Sequence, residues 1–317
     1  MPLNAHEIAQ QRYLKRHLTL WRFFAIVILI AGLVSISLIS VDKTAFNYRK
    51  QHIATIEIFG IIYRDETLLE QLKKIEQSDA TSGLIVIIDS PGGTVTGSED
   101  IYLALRKIAA KKPVTALMRG LAASGGYIAA IATDQIFASG NTITGSIGVI
   151  YQWPEYFELL NKVGVKMQTV KSAPLKAEPD PSRPLTEEVR AQVKIMVNDS
   201  FKWFVDLVET RRKLSHSDAL RLSDGRVFSG RQAVQHNLID ALGDIDQAKE
   251  WVENQLKIHD KPYENLELID WTPSLIDNTG LSQFLKMQIN QLIGSPIFAP
   301  NSAQALTSNG LMAIMPH

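Results

Sequence analysis

From Leu84 to Ile88 the chain is aliphatic at every position, and it then passes at once into Asp89-Ser90-Pro91-Gly92-Gly93. A short run that is apolar on both faces of its pleat has to be covered on both sides, which is the situation of an inner strand in a parallel sheet clad with helices. Further apolar runs at 53–59, 114–118 and 135–138 alternate with amphipathic stretches that predict helices at 66–77 and 98–110, and a third helix opens at Ser124. The alternation predicts an α/β domain with a largely parallel sheet and flanking helices. Sites in such sheets gather at the C-terminal ends of the strands. The Gly92-Gly93 turn and the Ser124 turn are therefore expected on one edge.

Two readings of Ser124 follow from its surroundings, Leu121-Ala122-Ala123-Ser124-Gly125-Gly126-Tyr127. As a bland structural residue it caps the helix that follows, with glycines for close packing. As a nucleophile it has small neighbours that admit a substrate backbone, and helix-start N–H groups for a developing oxyanion. The Gly92-Gly93 turn exposes backbone N–H groups unobstructed by a Cβ, which suits an oxyanion hole or a phosphate. No Gly-Lys-Ser/Thr and no GxGxxG accompanies it, so a nucleotide site has little support.

A serine nucleophile requires a base. His6 and His17 precede an apolar segment, and His52, His216, His236, His259 and His317 stand in no catalytic-looking context. The other route is a lysine rendered neutral by its surroundings, and Lys176, in the proline-rich stretch 171–184, is the candidate. A lysine in a polar loop is also the ordinary solvated residue. Glu178 and Asp180 stand two and four positions away; a carboxylate beside the amine would raise its pKa, so both side chains are expected to point away from it.

Five ordered blocks between about 53 and 252 resemble the short-form signal peptide peptidase A family, membrane-anchored Ser/Lys proteases of the ClpP/crotonase fold. They are Asp89-Ser90-Pro91-Gly92-Gly93, Ala122-Ala123-Ser124-Gly125-Gly126-Tyr127, Thr144-Gly145-Ser146-Ile147-Gly148-Val149, the stretch from Lys171-Ser172 through Lys176 to Pro181-Ser182-Arg183, and Asp224-Gly225-Arg226-Val227-Phe228-Ser229-Gly230-Arg231-Gln232-Ala233. The resemblance implies Ser124 as nucleophile, Lys176 as general base, Ser146 as the hydroxyl that orients the lysine, and Gly92 and Gly93 as the oxyanion-hole turn. It implies apolar peptide substrates, such as signal peptides left in the membrane after secretion, and a homo-oligomeric ring, commonly an octamer, whose serine and lysine come from adjacent protomers. No cofactor and no metal is implied.

Residues 23–41 carry no charge, long enough at about 1.5 Å per residue to span a hydrocarbon core, and longer than the apolar run of a cleaved signal peptide. Arg12, Lys15, Arg16 and Arg22 before the run bias its N-terminus to the cytoplasm, although Lys43, Arg49 and Lys50 follow closely. The expectation is a cytoplasmic segment 1–22, a signal anchor 23–41 in a bacterial-type inner membrane, a linker 42–52, an extracytoplasmic ClpP/crotonase-like domain 53–260 and an extension 261–317. The absence of cysteine means that the fold uses no disulfide. With 33 basic and 33 acidic residues there is no case for a nucleic-acid partner. Residues 186–212 predict one long helix with a packing stripe at Val193, Met196, Val197, Phe201, Phe204 and Leu207, and another helix is expected near 281–292. Three other readings stay open: a sibling Ser/Lys protease acting on stomatin-like membrane proteins, a crotonase-like acyl-CoA enzyme, and a peptide-binding scaffold without activity.

Overall fold

The computed structural model describes residues 21–28, 50–258, 265–273 and 312–314. Residues 21–28 form a helical segment whose large apolar side chains, Trp21, Phe23, Phe24, Ile26, Val27 and Ile28, are exposed. Most of the expected anchor 23–41 lies outside the described residues, and among those described no helix is long and apolar enough to cross a membrane. The helix expected near 281–292 also lies outside them.

The rest of the described chain begins with β1 (His52–Ile62), α1 (Glu66–Gln77), β2 (Thr81–Thr94), α2 (Val95–Ala109), β3 (Val114–Ala123) and α3 (Gly125–Ile131). Next come β4 (Gln135–Ala138), β5 (Ile143–Gly145), α4 (Phe157–Lys162), α5 (Glu187–Arg212) and α6 (His216–Arg221). β6 (Val227–Ser229), α7 (Gly230–Gln235), β7 (Ala241–Leu242), α8 (Ile245–Ile258), β8 (Glu267–Asp270) and β9 (Met312–Ile314) complete it. The main path of the sheet is β6-β5-β3-β2-β1-β8, with β1, β2, β3, β5 and β8 parallel along it. Two of its strands, β8 and β9, come from the segment 261–317.

The aliphatic run of β2 is covered on both faces, as its composition requires. Leu84, Val86 and Ile88 join Leu72 and Ile75 of α1, Leu105 and Ile108 of α2 and Tyr127 of α3 in one core cluster. Ile85 and Ile87 point the other way, into a second cluster closed by Val252 and Leu256 of α8. α1 is set by its ends and its stripe: the Asp65 carboxylate accepts from the Thr67 and Leu68 N–H groups, and Leu68, Leu72 and Ile75 bury one face.

Three details position the site. β3 pairs with β4 along Thr115–Met118 and then with β5 along Leu121–Ala123, so a different strand flanks its C-terminal end. β2 does not stop at Asp89 as the glycines suggested; it continues to Thr94 with shifts of register near Ser90, and Gly92 sits at φ +101°. Past Ser90 its pairing with β3 ends, while Ile61 and Ile62 of β1 still oppose Gly92 and Gly93. The edge that β3 vacates is taken by β9, antiparallel, with Ile314 opposite Gly92 and Met312 opposite Thr94.

α5 forms as expected, with the Thr186 side chain accepting from Val189 N–H. Only part of its expected stripe is buried. Phe204, with Val205 and Val208, packs into the core, whereas Met196 is 41% exposed and Ile195 62%.

Candidate active site

Ser124 sits in a conformation that its residue type does not prefer. Its backbone lies at φ +53°, ψ −114°, the combination that type II′ turns reserve for glycine. The side chain makes no capping hydrogen bond to α3, so the bland capping reading fails. Instead the hydroxyl is completely buried and has no partner among the described residues. A strained backbone and an unsatisfied buried hydroxyl both cost stability, and such costs gather where a side chain is held for chemistry.

The turn is held from two sides. Ser124 N–H donates to Gly145 O at 2.8 Å, which ties the end of β3 to the end of β5 and brings the Ser146 backbone beside it. Ser146 is itself at φ +49°, only 7% exposed, and its N–H donates to Arg226 O at 2.8 Å. On the other side α3 presses against β2: a Cβ at Gly126 would stand 2.8 Å from Ser90 O, so only glycine permits this approach. The Tyr127 hydroxyl, fully buried, donates to Leu238 O at 2.7 Å and locks α3 to the residues after α7. Burial away from water raises the pKa of that phenol, keeping it a neutral donor.

Gly92 and Gly93 line the edge facing this turn. A Cβ at Gly93 would fall 1.7 Å from Ile62 O, so β1 and β2 approach too closely there for any side chain. Gly92 N–H donates to Ser90 Oγ at 3.0 Å, and Ser90 Oγ donates in turn to Gly60 O at 2.6 Å. A substrate carbonyl reaching the Gly92 N–H has to compete with the Ser90 hydroxyl. The N–H groups at the start of α3 lie on the same edge.

Ser124, Ser146, Gly92 and Gly93 are thus brought to one edge of the sheet, and Lys176 is not joined to them. Its side chain is exposed and forms no hydrogen bond or ion pair among the described residues. Its loop is internally ordered, with Lys176 N–H donating to Ala173 O at 3.1 Å and Glu178 N–H to Leu175 O at 3.3 Å. The neighbouring carboxylates are occupied elsewhere. Glu178 accepts from Lys171 Nζ at 2.5 Å and from Arg183, and Asp180 accepts from Ser182 and Arg183. The Lys171 ammonium holds the Glu178 carboxyl below its ordinary range, and the Ser182 hydroxyl is the main cause of the Asp180 carboxyl being pushed down to about 2.

Residues 106–259 match the family model for peptidase family S49, and residues 55–142 match that for Clp protease. A protein of Synechocystis sp. named as a protease is 34% identical over 252 residues, 75% of this chain and 91% of its own. The chain belongs to peptidase family S49. A Methanocaldococcus jannaschii protein named as a protease is 31% identical over 72% of each chain. An Enterococcus faecium protein named as a signal peptide peptidase is 35% identical over 62% of this chain and 58% of its own. This S49 chain is a serine peptidase with a ClpP-like α/β domain.

Sequence reasoning missed the parts of this S49 site that act through backbone atoms. Ser90 stands in a block whose signal is its glycines, yet its hydroxyl joins Gly60 O to Gly92 N–H. Asp89 accepts from Leu121 N–H at 3.0 Å and so pins β3 to β2 just before Ser124. The 224–233 block supplies the Arg226 carbonyl that holds Ser146. The end of β1 borders a cleft of about 340 Å³ lined by Phe59, Ile61, Ile62, Tyr63 and Ile101. Phe59, Ile61 and Tyr63 are more than half exposed. One cluster among the described residues has metal-ligand types in reach of each other, Asp206, Glu209 and His216; it lies on the outside of α5 and α6, where His216 Nδ1 and Glu209 Oε2 already bond at 2.8 Å.

Proposed function

We propose that this protein is a membrane-anchored serine endopeptidase with a Ser124/Lys176 dyad that degrades apolar peptides, including signal peptides remaining after secretion. The observation that carries the reading is the arrangement around Ser124: a buried, unpartnered hydroxyl on a strained backbone, facing a strand edge that accepts an extended chain. β9 lies on that edge as a peptide substrate would, by adding an antiparallel strand. Its direction, from Thr94 toward Gly92, carries the peptide back toward the nucleophile. The apolar cleft at the end of β1 suits apolar substrate side chains.

In the reaction the neutral Lys176 amine takes the Ser124 proton and Oγ bonds to the scissile carbonyl carbon. The oxyanion is stabilised by backbone N–H groups of the Gly92-Gly93 edge, and Ser146 orients the amine. Collapse breaks the C–N bond, the leaving amine receives the proton from the lysine, and water releases the acyl group by the same route. Since Lys176 makes no contact with Ser124 in its own chain, the lysine comes from an adjacent protomer of a homo-oligomeric ring such as an octamer. Burial against that protomer supplies the desolvation that a lysine base needs. The exposed Ile195 and Met196 of α5 suit such a contact. Residues 23–41 anchor each subunit in a bacterial inner membrane, with the peptidase domain outside the cytoplasm.

The test is peptidase activity of the detergent-solubilised oligomer on an apolar signal-peptide-like substrate. Ser124→Ala and Lys176→Ala are each expected to abolish it with the oligomer intact. Oligomers assembled from both variants together recover part of it. Full activity in Lys176→Ala would overturn the base; inactivity of the unaltered protein across many apolar peptides would favour the scaffold reading.

A further inference from the structure

Four charged side chains share the loop that presents Lys176, and their pairing is unequal. Lys171 is only 12% exposed and Glu178 17%; they form the most buried ion pair of the loop, at 2.5 Å. The second Glu178 oxygen accepts from Asp180 N–H at 2.9 Å, and Arg183 reaches both Glu178 and Asp180. Asp180 also accepts from the Ser182 N–H and hydroxyl. Every carboxylate of the loop is consumed, while the Lys176 ammonium has none. The segment packed on this loop, through Tyr156 N–H donating to Pro181 O, brings Glu155 and Glu158, neither of which forms an ion pair among the described residues. Beyond the loop, Glu187 pairs with Arg190.

From this arrangement we infer that Lys171 is a positioning residue that acts by insulation: it holds the Glu178 carboxylate away from Lys176, so that the catalytic amine can lose its proton. The inference rests on Lys176 being the base. Glu178 stands two positions from Lys176 and follows Ala177, which lies at φ +59° in a tight turn. Without Lys171 the Glu178 carboxylate keeps only the 43% exposed Arg183 guanidinium, at 3.3 Å, and is freer to turn toward the Lys176 ammonium two positions away. An opposite charge within about 4–6 Å raises a lysine pKa by roughly 1–3 units, with the lower end applying to groups in contact with water. Lys171 removes that outcome with a stronger, less hydrated competitor. Arg183, 43% exposed, supports the clamp from the other side without replacing it.

The experiment compares the full-length oligomer with Lys171→Met, Glu178→Gln and the double variant, measuring kcat/KM on one peptide substrate against pH. Competitive acetylation followed by peptide mass spectrometry reads the ionisation of Lys176 in each variant, active or not. In Lys171→Met the acidic limb of kcat/KM and the acetylation midpoint of Lys176 both move up by about one pH unit, and activity near pH 7 falls about tenfold. In the double variant both return to their original position, even where the clamp's loss lowers the plateau. An unmoved acetylation midpoint in Lys171→Met overturns the inference, and so does a shift that persists without the Glu178 carboxylate. Lys176→Ala separates the two levels: if it keeps its activity, the base assignment falls and the insulation with it; if it is inactive while Lys171→Met titrates normally, the insulation alone is wrong.

Discussion

Replacing Ser124 by glycine should remove catalysis and raise stability, and the second effect can be separated from the loss of the hydroxyl. Both Ser124→Ala and Ser124→Gly delete an Oγ that is buried without a partner, so each releases a desolvation penalty of about 1–3 kcal/mol. They differ only in the backbone. Alanine keeps a Cβ at φ +53°, ψ −114°, where a non-glycine residue is strained by about 1–3 kcal/mol, and glycine does not. Glycine returns about 0.4–1 kcal/mol through the greater freedom of the unfolded chain. The difference leaves Ser124→Gly about 0.5–2 kcal/mol more stable than Ser124→Ala, or some 2–6 °C in Tm for a domain of this size. Both variants are inactive, so the ordering concerns the fold alone. Thermal unfolding of the two oligomers at equal concentration measures it, with denaturant unfolding as a check on reversibility. Glycine melting at or below alanine would refute the claim that strain is stored at Ser124.

Gly93→Ala places a Cβ 1.7 Å from Ile62 O and forces β1 and β2 apart, so it should cost more than about 3 kcal/mol or prevent folding, read by expression and denaturant midpoint. Tyr127→Phe leaves the Leu238 carbonyl without its phenolic donor and should cost about 1–2 kcal/mol, lowering Tm while kcat changes little. Deleting residues 309–317 removes β9 from the edge of β2 and should lower KM for an added peptide with kcat unchanged, as steady-state kinetics would show; an unchanged KM would mean that β9 does not occupy the substrate edge. The Glu178 and Asp180 carboxyls are depressed in the folded state, so the order they give the loop is complete above their unfolded pKa values, near 4, and is lost as pH falls toward about 2. Limited proteolysis of the 171–183 loop with an acid protease should therefore accelerate between about pH 4 and 2 before the core opens.

What could be read from the sequence is what local chemistry dictates. The aliphatic run 84–88 requires cover on both faces, and α1 and α8 supply it. The small residues around Ser124 allow the close approach at Gly126, though they do not reveal that the serine itself adopts a glycine's conformation. The turn expected at Gly92-Gly93 belongs to β2 itself: proline and glycine ordinarily terminate strands, but here they shape a bulged continuation on which a further strand can lie. Contacts made by backbone carbonyls, such as Arg226 O to Ser146 N–H, carry no residue-type signature and stayed hidden although both sequence blocks were visible. The half-exposed stripe of α5 has the same origin as the isolation of Lys176. An amphipathic pattern states that a face is apolar and does not state which chain covers it. Met196 and Ile195 lie open while Phe204 two turns later is fully buried, so a single helix passes from an internal core to an apolar surface, which the proposed ring would cover. Under the proposed mechanism Lys176, exposed in its own chain, needs the same kind of cover to work as a base, and one assembled interface would answer both.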